Sequence, residues 1–569
     1  MAYARPESKL RIGSILEVDG THVIAELDSN IDELTRVHNA HVYSIGQYGS
    51  ILKIYFGERI LFMFVSRLRL KTELEGERGS YTPKADDSRI LEADLFGEGV
   101  WATDDSGKYA LKFERGVSTY PLPQQSVYLT TSTELKDIYR STNSEDAIPI
   151  GTYVGSASVQ CFASIDDLFG KHSAILGSTG SGKSAAVSVL LHAVQNFRIS
   201  EGIDWHPHII ILDPHDEYST AFPNAARLVS DEGSLHIPYW LLNLQELLDL
   251  FIGKTEFQAT SQTNILKNAI QKSRVDGTTN LNIDKTKISV DSPVPFSLET
   301  LIQYIKDDMP PQPSKQDKHQ SLLNKIDALR RDSRLSFLMN EWSSESDEIS
   351  VILSQFINRD DPMRIVDLSG IPSDVGGIIA AVISRLLFMY KLWQKPDERK
   401  GDPVLIVCEE AHRYVPNRGE AEYTAAQDAI RRIAKEGRKY GLGLLLVSQR
   451  PSELEATVLS QCNTWLVLRL TNSEDQAHVI RFLPDSLRSL TKVLPGLRRR
   501  EAIFVGQAAP VPARILMDDL ESWKLPRSQD ISFLEGWRSD PVDGGDLDSV
   551  IERWRYQVRT ELEGGSPGE

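Results

Sequence analysis

Two rhythms of apolar and polar residues run along the chain. Over residues 8 to about 100 the apolar positions recur in short runs split by turn residues. Residues 12–18 and 21–27 flank Asp19-Gly20, a hairpin signal. Residues 50–56 and 58–70 flank Gly57 in the same way. Several short strands with regular turns predict a small barrel or sandwich over 1–150. Residues 101–150 are less regular. Pro121, Pro123 and the polar run 141–146 predict loops there.

From residue 151 the rhythm changes. Compact apolar runs at 173–176, 208–213, 364–368, 404–408, 441–450, 464–470 and 497–505 read as buried strands. Helical spacing falls between several of them, at 185–191, 378–393 and 425–439. Strands alternating with helices predict one large α/β domain over 151–525. Residues 235–345 interrupt it with mainly helical spacing, at 241–252 and 266–272, and a Pro-rich break at 308–315. The tail, 526–569, carries one amphipathic helix at 547–562 and a Gly/Ser/Pro end. It is expected to be exposed and to dock on a neighbouring subunit or partner.

The run Gly177-Ser178-Thr179-Gly180-Ser181-Gly182-Lys183-Ser184 stands between the strand at 173–176 and a helix that starts at Ala185. It fits the phosphate-binding pattern G-x-x-x-x-G-K-[ST] in its required strand–loop–helix setting. The glycines let backbone N–H groups converge on phosphate oxygens, and the helix N-terminus adds positive potential. Lys183 suits the β- and γ-phosphates, and the Ser184 hydroxyl suits Mg²⁺.

Other polar residues end strands, where an open α/β sheet faces its ligand crevice. Asp213, His215 and Glu217 follow one strand; Glu409 and Glu410 follow another. A phosphate-loop enzyme needs such an acid pair, one to hold the metal and its water shell and one to polarise the attacking water. Gln449 ends the strand at 441–450, where an amide could sense the γ-phosphate or orient water. The helix at 425–439 carries Arg431, Arg432, Lys435, Arg438 and Lys439, for most of which a solvated face suffices.

Bulk composition narrows the classes. The chain has 569 residues, more than one core holds. A net charge of −17 argues against wholesale coating of nucleic acid and leaves room for a local basic channel. Cys161, Cys408 and Cys462 are far apart and lack metal spacing, which suggests buried thiols in a reducing compartment. The first residues carry no apolar signal core, and the most apolar helical stretch, 378–393, is broken by Arg385 and Lys391. The expectation is a cytoplasmic multidomain protein.

Taken together, these motifs resemble the HerA helicases/translocases of the HerA–FtsK superfamily. The resemblance rests on residues 177–184, on Ile211-Leu212-Asp213-Pro214-His215-Asp216-Glu217-Tyr218 and on Glu409-Glu410-Ala411-His412. It also rests on Glu436-Gly437-Arg438-Lys439-Tyr440-Gly441, on Ser448-Gln449-Arg450-Pro451-Ser452 and on Val458-Leu459-Ser460-Gln461-Cys462-Asn463-Thr464. The β-rich N-terminus resembles that family's HAS barrel. The resemblance implies an α/β fold: a RecA-like P-loop NTPase domain with a helical insertion, preceded by a small β-barrel. It implies a homo-hexameric ring that hydrolyses ATP with Mg²⁺ and moves double-stranded DNA through a central pore. Carried over by motif, Gly177 to Ala185 and Asp213 bind the nucleotide, and Ser184 and Glu409 hold the metal. Lys183, Glu410 as base, Gln449 as sensor and Arg438 as a finger reaching the neighbour's ATP are catalytic. One departure is that the first acid of the pair, often Asp, is Glu409 here.

The resemblance further implies a separately encoded effector, Sir2-like in phage defence or a nuclease such as NurA in DNA-end processing. Phage defence is the favoured role. An ATP-switched ring scaffold is the alternative, and a conjugation-type pump is disfavoured for want of a membrane segment. Arg413, Arg418 and the run Arg498-Arg499-Arg500 are candidate DNA contacts, with surface solvation the simpler role for each.

Overall fold

The computed structural model describes residues 6–557 apart from 32–33, 40, 80–87, 104–108, 142–145, 156–158, 198–204, 231–232, 253–255, 282, 343–346, 359, 418–423, 484–489, 528–532 and 539–543. Arg418, most of the polar run at 141–146 and the chain end thus lie outside the described residues. The chain folds as two compact units. The first is Met1–Ile203, Ser448–Ser452 and Cys462–Leu520; the second is Asp204–Val447, Glu453–Gln461 and Glu521–Glu569.

The first unit begins with β1 (Arg11–Asp19) and β2 (His22–Leu27), paired antiparallel with Asp19 opposite His22. Gly20 supplies the left-handed φ of 56° that this tight turn needs. A two-stranded ribbon, β3 (Thr35–His38) and β4 (His41–Ser44), stands apart. Then come β5 (Ile51–Phe56), β6 (Arg59–Leu70), β7 (Arg89–Thr103), β8 (Tyr109–Arg115) and β9 (Ser126–Leu129). Strands β1, β9, β5, β6, β7 and β2 pair in that order, and β2 pairs with both β7 and β1. The result is a closed six-stranded antiparallel barrel with β8 added beside β7. Closure removes the unpaired edges that an open sheet would expose. Bulges at Ile15/Glu17, Phe62/Met63 and Val65/Arg67 supply local bend and twist. Ile12, Val23, Leu52, Ile54, Leu61, Met63 and Leu91 fill its core. The expected barrel is therefore present.

The loop expected at Pro121 and Pro123 is there too, since residues 116–125 form neither helix nor strand, but the rest of 101–150 is more regular than expected. That stretch holds the end of β7, all of β8 and β9, and a helix at Ser132–Ser141. Strand β9 has only four residues, too few for alternation to register. The chain continues through β10 (Ala147–Tyr153), β11 (Gln160–Ser164) and β12 (Ser173–Leu176). The boundary expected at 150 falls inside β10.

The second unit holds β13 (His208–Asp213), β14 (Ala226–Val229), β15 (Met363–Asp367), β16 (Val404–Cys408) and nearly all of β17 (Leu442–Ser448). They run parallel in the order β17-β16-β13-β15-β14. Strands β13, β15 and β16 are buried end to end, as parallel strands covered on both faces must be. Between β14 and β15 the chain is helical, with helices at Leu244–Phe251, Glu256–Gly277, Leu298–Asp307, Asp317–Arg331 and Ile349–Ile357. A capping box of Asn243 and Glu246 starts the first of these.

The helix expected at 378–393 is present and longer, spanning Ser373–Trp393. Val375–Trp393 is long and apolar enough to cross a membrane by length and composition, yet 78% of that window is buried inside the fold. Its two cations are matched: Arg385 pairs with Glu246 at 2.7 Å, and the fully buried Lys391 donates to the Asp402 carbonyl. It is the core helix of this unit.

The chain then returns to the first unit through β18 (Thr464–Val467), β19 (Glu501–Gly506) and β20 (Ala513–Met517). There the strand order is β11-β10-β20-β19-β18-β12, with β12 and β18 parallel and the others antiparallel. Arg115 of β8 ties the barrel to this sheet. Its guanidinium donates to the carbonyls of Gly506, Gln507 and Pro510 at 2.8, 3.1 and 3.1 Å. In the tail, the helix Gly544–Tyr556 exposes Leu547, Val550 and Trp554.

Candidate functional site

The phosphate loop follows β12, whose four residues are all buried. Two hydrogen bonds set its start: Gly177 N–H to the Ser448 carbonyl at 3.2 Å, and Ser178 N–H to the Arg469 carbonyl at 2.8 Å. Glycine is required at two further points. Gly180 has φ 73° and Gly182 has φ 102°, left-handed values that side chains oppose. A side chain at Gly177 would also fail, since its Cβ would lie 2.6 Å from Ser181 Oγ. Helix Lys183–Gln195 starts at Gly182 with no side-chain cap, so its first N–H groups face outward for a ligand. Lys183 is only 8% exposed and makes no ion pair among the described residues. Ser184 and Ala185 are half-buried in the first turn. The loop thus presents donors and one ammonium with no acidic side chain among them, a set that fits a polyphosphate.

Three chain segments brace this loop from within the same unit. Thr179 Oγ1 donates to Gln449 Oε1 at 2.6 Å, so the amide expected to act as a sensor touches the loop. Thr471 N–H donates to Ser178 Oγ at 3.2 Å. Arg500 N–H donates to the Ser181 carbonyl at 3.1 Å.

In the second unit, acids gather at the carboxyl ends of neighbouring parallel strands. Asp213 ends β13, Asp367 ends β15 in register with it, and Glu409 follows β16. Asp213 is fully buried, and its carboxylate accepts the N–H groups of His215 and Tyr218 at 3.1 and 3.0 Å. It anchors the turn at 213–218. Burial pushes its carboxyl up to about 7, against the pull of those two bonds. The Tyr218 hydroxyl donates to Glu409 Oε2 at 2.7 Å, with both groups buried. Burial and then the Glu409 charge raise the tyrosine's own pKa. Glu410 sits at φ 50°, an uncommon left-handed position for a glutamate, with its carboxylate 3.2 Å from His412 Nδ1. Backbone held in so sparse a region marks a residue whose direction matters. Arg227 bridges Asp216 and Asp367 at 3.0 Å each. The His215 ring is exposed and Glu217 is half-buried.

The basic helix spans Thr424–Glu436, and Arg438 lies in the 3₁₀ turn Gly437–Tyr440 that follows. Lys435 and Lys439 are exposed, whereas two arginines of the helix are engaged. Arg431 pairs with the buried Glu455 at 2.9 Å, and the Arg432 guanidinium stacks 4.4 Å from the Phe388 ring centroid. Arg438 is exposed and without a partner among the described residues. Arg413 is exposed too.

Sequence reasoning missed five contributors to these two regions: Tyr218, Arg227, Asp367, Thr471 and the backbone of Arg500. Asp367 carried a usable signal, an acid closing a buried strand. For the others the signal is a contact between distant segments, which no local pattern contains.

Comparison with known proteins adds family evidence. Residues 148–387 match the protein family described as "Helicase HerA, central domain". The chain is 27% identical over 459 residues to the DNA double-strand break repair helicase HerA of Pyrococcus furiosus, covering 74% of this chain and 77% of that one. It is 28% identical over 430 residues to the protein of the same name from Sulfurisphaera tokodaii, again covering 74% and 77%. Among solved structures, VirB4 of Thermoanaerobacter pseudethanolicus superposes with a TM-score of 0.48 at 16% identity, covering 67% of this chain and 99% of that one.

Proposed function

We propose, from the premise that the chain belongs to the HerA helicase family, a division of labour for its residues. The protein is an ATPase of the DNA helicase/translocase type. The observation that carries the assignment is the acid-free donor set of residues 177–185, with Gln449 bonded to Thr179. Gly177 to Ala185 hold the phosphates by backbone N–H groups, and Lys183 neutralises their charge. Ser184 and Glu409 would hold the metal, with Tyr218 keeping Glu409 in place. Bound Mg²⁺ supplies charge neutralisation at the phosphoryl oxygens and takes few protein ligands. Glu410 accepts a proton from water as its oxygen bonds to the γ-phosphorus and the bond to ADP breaks. Gln449 orients that water or reads the γ-phosphate. Asp213 supports the nucleotide site through its turn.

The finer reading is a homo-hexamer that threads double-stranded DNA and serves a separate effector, Sir2-like or a nuclease, in defence against phage. Arg438 acts across the subunit boundary. Its exposure and lack of a partner among the described residues support that role over those of Arg431 and Arg432, which are engaged. A cytoplasmic location accompanies this reading.

The deciding measurement is ATP turnover with and without duplex DNA. A translocase shows turnover that rises with DNA, and DNA affinity that falls steeply with salt. Turnover indifferent to DNA would leave only an ATP-switched scaffold. Arg438→Ala should cut hydrolysis on the order of 10³-fold while ATP still binds. Mixed with a Lys183→Ala variant under subunit exchange, it should regain activity, because some interfaces then pair an intact loop with an intact finger. No recovery would remove the trans assignment. Mass spectrometry of complexes purified from the native host identifies the effector, and loss of phage resistance on deleting the gene tests the defence role.

A further inference from the structure

Three arginines follow one another at 498–500, and the fold gives each a different setting. Arg498 reaches Glu501 at 3.4 Å, and Glu501, fully buried, also takes Arg514 at 2.6 Å. Arg499 is exposed and without a partner among the described residues. Arg500 turns to the phosphate loop. Its N–H donates to the Ser181 carbonyl at 3.1 Å. Its Cα and Cγ lie 3.6 Å from where a side chain on Gly182 would begin, so its stem covers the glycine next to Lys183.

The backbone of Arg500 is strained. Its φ is 67°, the left-handed region that favours glycine. Strain of this kind beside a ligand loop is tolerated where the side chain has work to do there. The Arg500 side chain is 28% exposed and its guanidinium pairs with Asp519, whose side chain is 79% exposed. Asp518 lies within electrostatic reach as well, but the only carboxylate paired with the guanidinium among the described residues is the exposed Asp519, and an exposed pair holds a cation weakly. A polyphosphate in the adjoining loop carries more charge and fits the planar donor fork of arginine.

We propose that Arg500 is a nucleotide ligand within its own chain, its guanidinium leaving Asp519 for the polyphosphate held by residues 177–185. This rests on the nucleotide-binding reading of that loop. It gives Arg500 a role different from that of Arg438. Arg500 is placed beside the loop by its own backbone before any reaction, so it stabilises bound nucleotide and transition state alike. Such uniform binding changes KM and leaves kcat.

The test uses the full chain, with Mg²⁺-ATP and ADP as probes in equilibrium binding and in steady-state kinetics. Arg500→Gly keeps the left-handed backbone without strain and removes the cation. The expected result is a Kd for both ATP and ADP raised about tenfold or more, the usual scale of a charged hydrogen bond. At saturating ATP, kcat should stay within about twofold. Melting temperature without nucleotide should be unchanged or higher, because the glycine relieves strain. Arg500→Lys should recover part of the affinity. Asp519→Asn should leave affinity equal or tighter, since it frees the guanidinium. Wild-type affinity in Arg500→Gly would overturn the proposal. So would Asp519→Asn weakening binding as much as Arg500→Gly, which would make the ion pair structural. Failure of the wild-type chain to bind either nucleotide would instead bring down the reading of the loop, and this proposal with it.

Discussion

The phosphate loop and the acid turn are both polar and both close a buried strand, yet they are built on opposite plans. The loop keeps its functional groups unspent. Its helix has no cap, Lys183 has no ion pair among the described residues, and its glycines hold the backbone open. At the ends of β13 and β16, Asp213 and Glu409 already accept hydrogen bonds from the fold. Asp213 takes two N–H groups, Glu409 takes the Tyr218 hydroxyl, and Glu410 lies beside His412. The backbone N–H groups at the half-buried start of the helix can wait on water, which satisfies them until a ligand arrives, while Lys183, only 8% exposed, keeps its charge without an ion pair among the described residues. Buried carboxylates cannot wait in that way, because desolvation without a partner is costly. The loop is therefore organised by its ligand, and the acid turn by its own fold.

The largest expected effect separates the two plans directly. Lys183→Ala removes the loop's ammonium, and ATP binding and hydrolysis should both be lost, with turnover down by roughly 10³ or more. Glu410→Gln should keep ATP binding near wild type while turnover falls at least about 100-fold, the scale of general-base catalysis. Equilibrium binding measured beside ATPase rate checks both. Binding lost equally in the two variants would erase the distinction. Turnover in Glu410→Gln within about tenfold of wild type would mean that another base is at work.

A smaller effect sharpens the claim that the acid turn is organised by the fold. Tyr218→Phe leaves the buried Glu409 carboxylate without its 2.7 Å donor. Stability should fall by about 1–3 kcal/mol, the cost of an unsatisfied buried acceptor. The Mg²⁺ concentration needed for half-maximal ATPase should rise. Thermal melts and a Mg²⁺ titration read the two parts. A change in the Mg²⁺ requirement with no loss of stability would make Tyr218 a purely local steering group.

The smallest effect concerns Asp213. Burial raises its carboxyl from 3.8 to about 7 in the folded chain. A raised folded value means that this group favours folding fully at pH below its unfolded value, near 3.8. That contribution is lost as pH rises through about 7. Asp213→Asn cannot titrate, so its melting temperature should fall less than that of the wild type between about pH 4 and 7. The difference is on the order of 1 kcal/mol or more, since a tenfold change in a protonation constant is worth about 1.4 kcal/mol. Parallel melts at about pH 5 and pH 7 decide it. Identical slopes in the two proteins would mean that Asp213 is ionised and comfortable, as an open loop residue would be.

The same contrast explains what could be read in advance. The loop was legible to the residue, because a phosphate cradle needs glycine at fixed spacing followed by lysine, and that need is local. The barrel was legible through its hairpins, where Asp19-Gly20 and Gly57 mark the turns. Strand β9 was not, since its place depends on pairing with distant β1 and β5, and β8 was passed over although it pairs with the preceding β7 and its buried Leu111 and Phe113 alternate with exposed Lys112 and Glu114. Glu409 and Glu410 were legible as strand-end acids. What holds them was not: Tyr218 lies 191 residues before Glu409 in sequence. The Ser373–Trp393 helix shows the converse. Its apolar length suits a bilayer, its two cations Arg385 and Lys391 spoke against one in the sequence, and the burial of 78% of the window, with Glu246 and the Asp402 carbonyl bonded to those cations, shows a protein core.

Strand β19 has a mechanical reading. It runs from Glu501 to Gly506, about 20 Å of extended chain. Beyond one end, Arg500 hydrogen-bonds to the phosphate loop; at the other, Arg115 of the barrel clasps Gly506 and the residues after it. Gly506 itself has no slack, for any side chain there would meet the Asn463 carbonyl oxygen at 2.2 Å. The strand is a tie rod between the barrel and the cradle. A load that tilts the barrel strains the cradle through a path of hydrogen bonds and stiff backbone, so whatever grips the barrel also has a hand on the nucleotide.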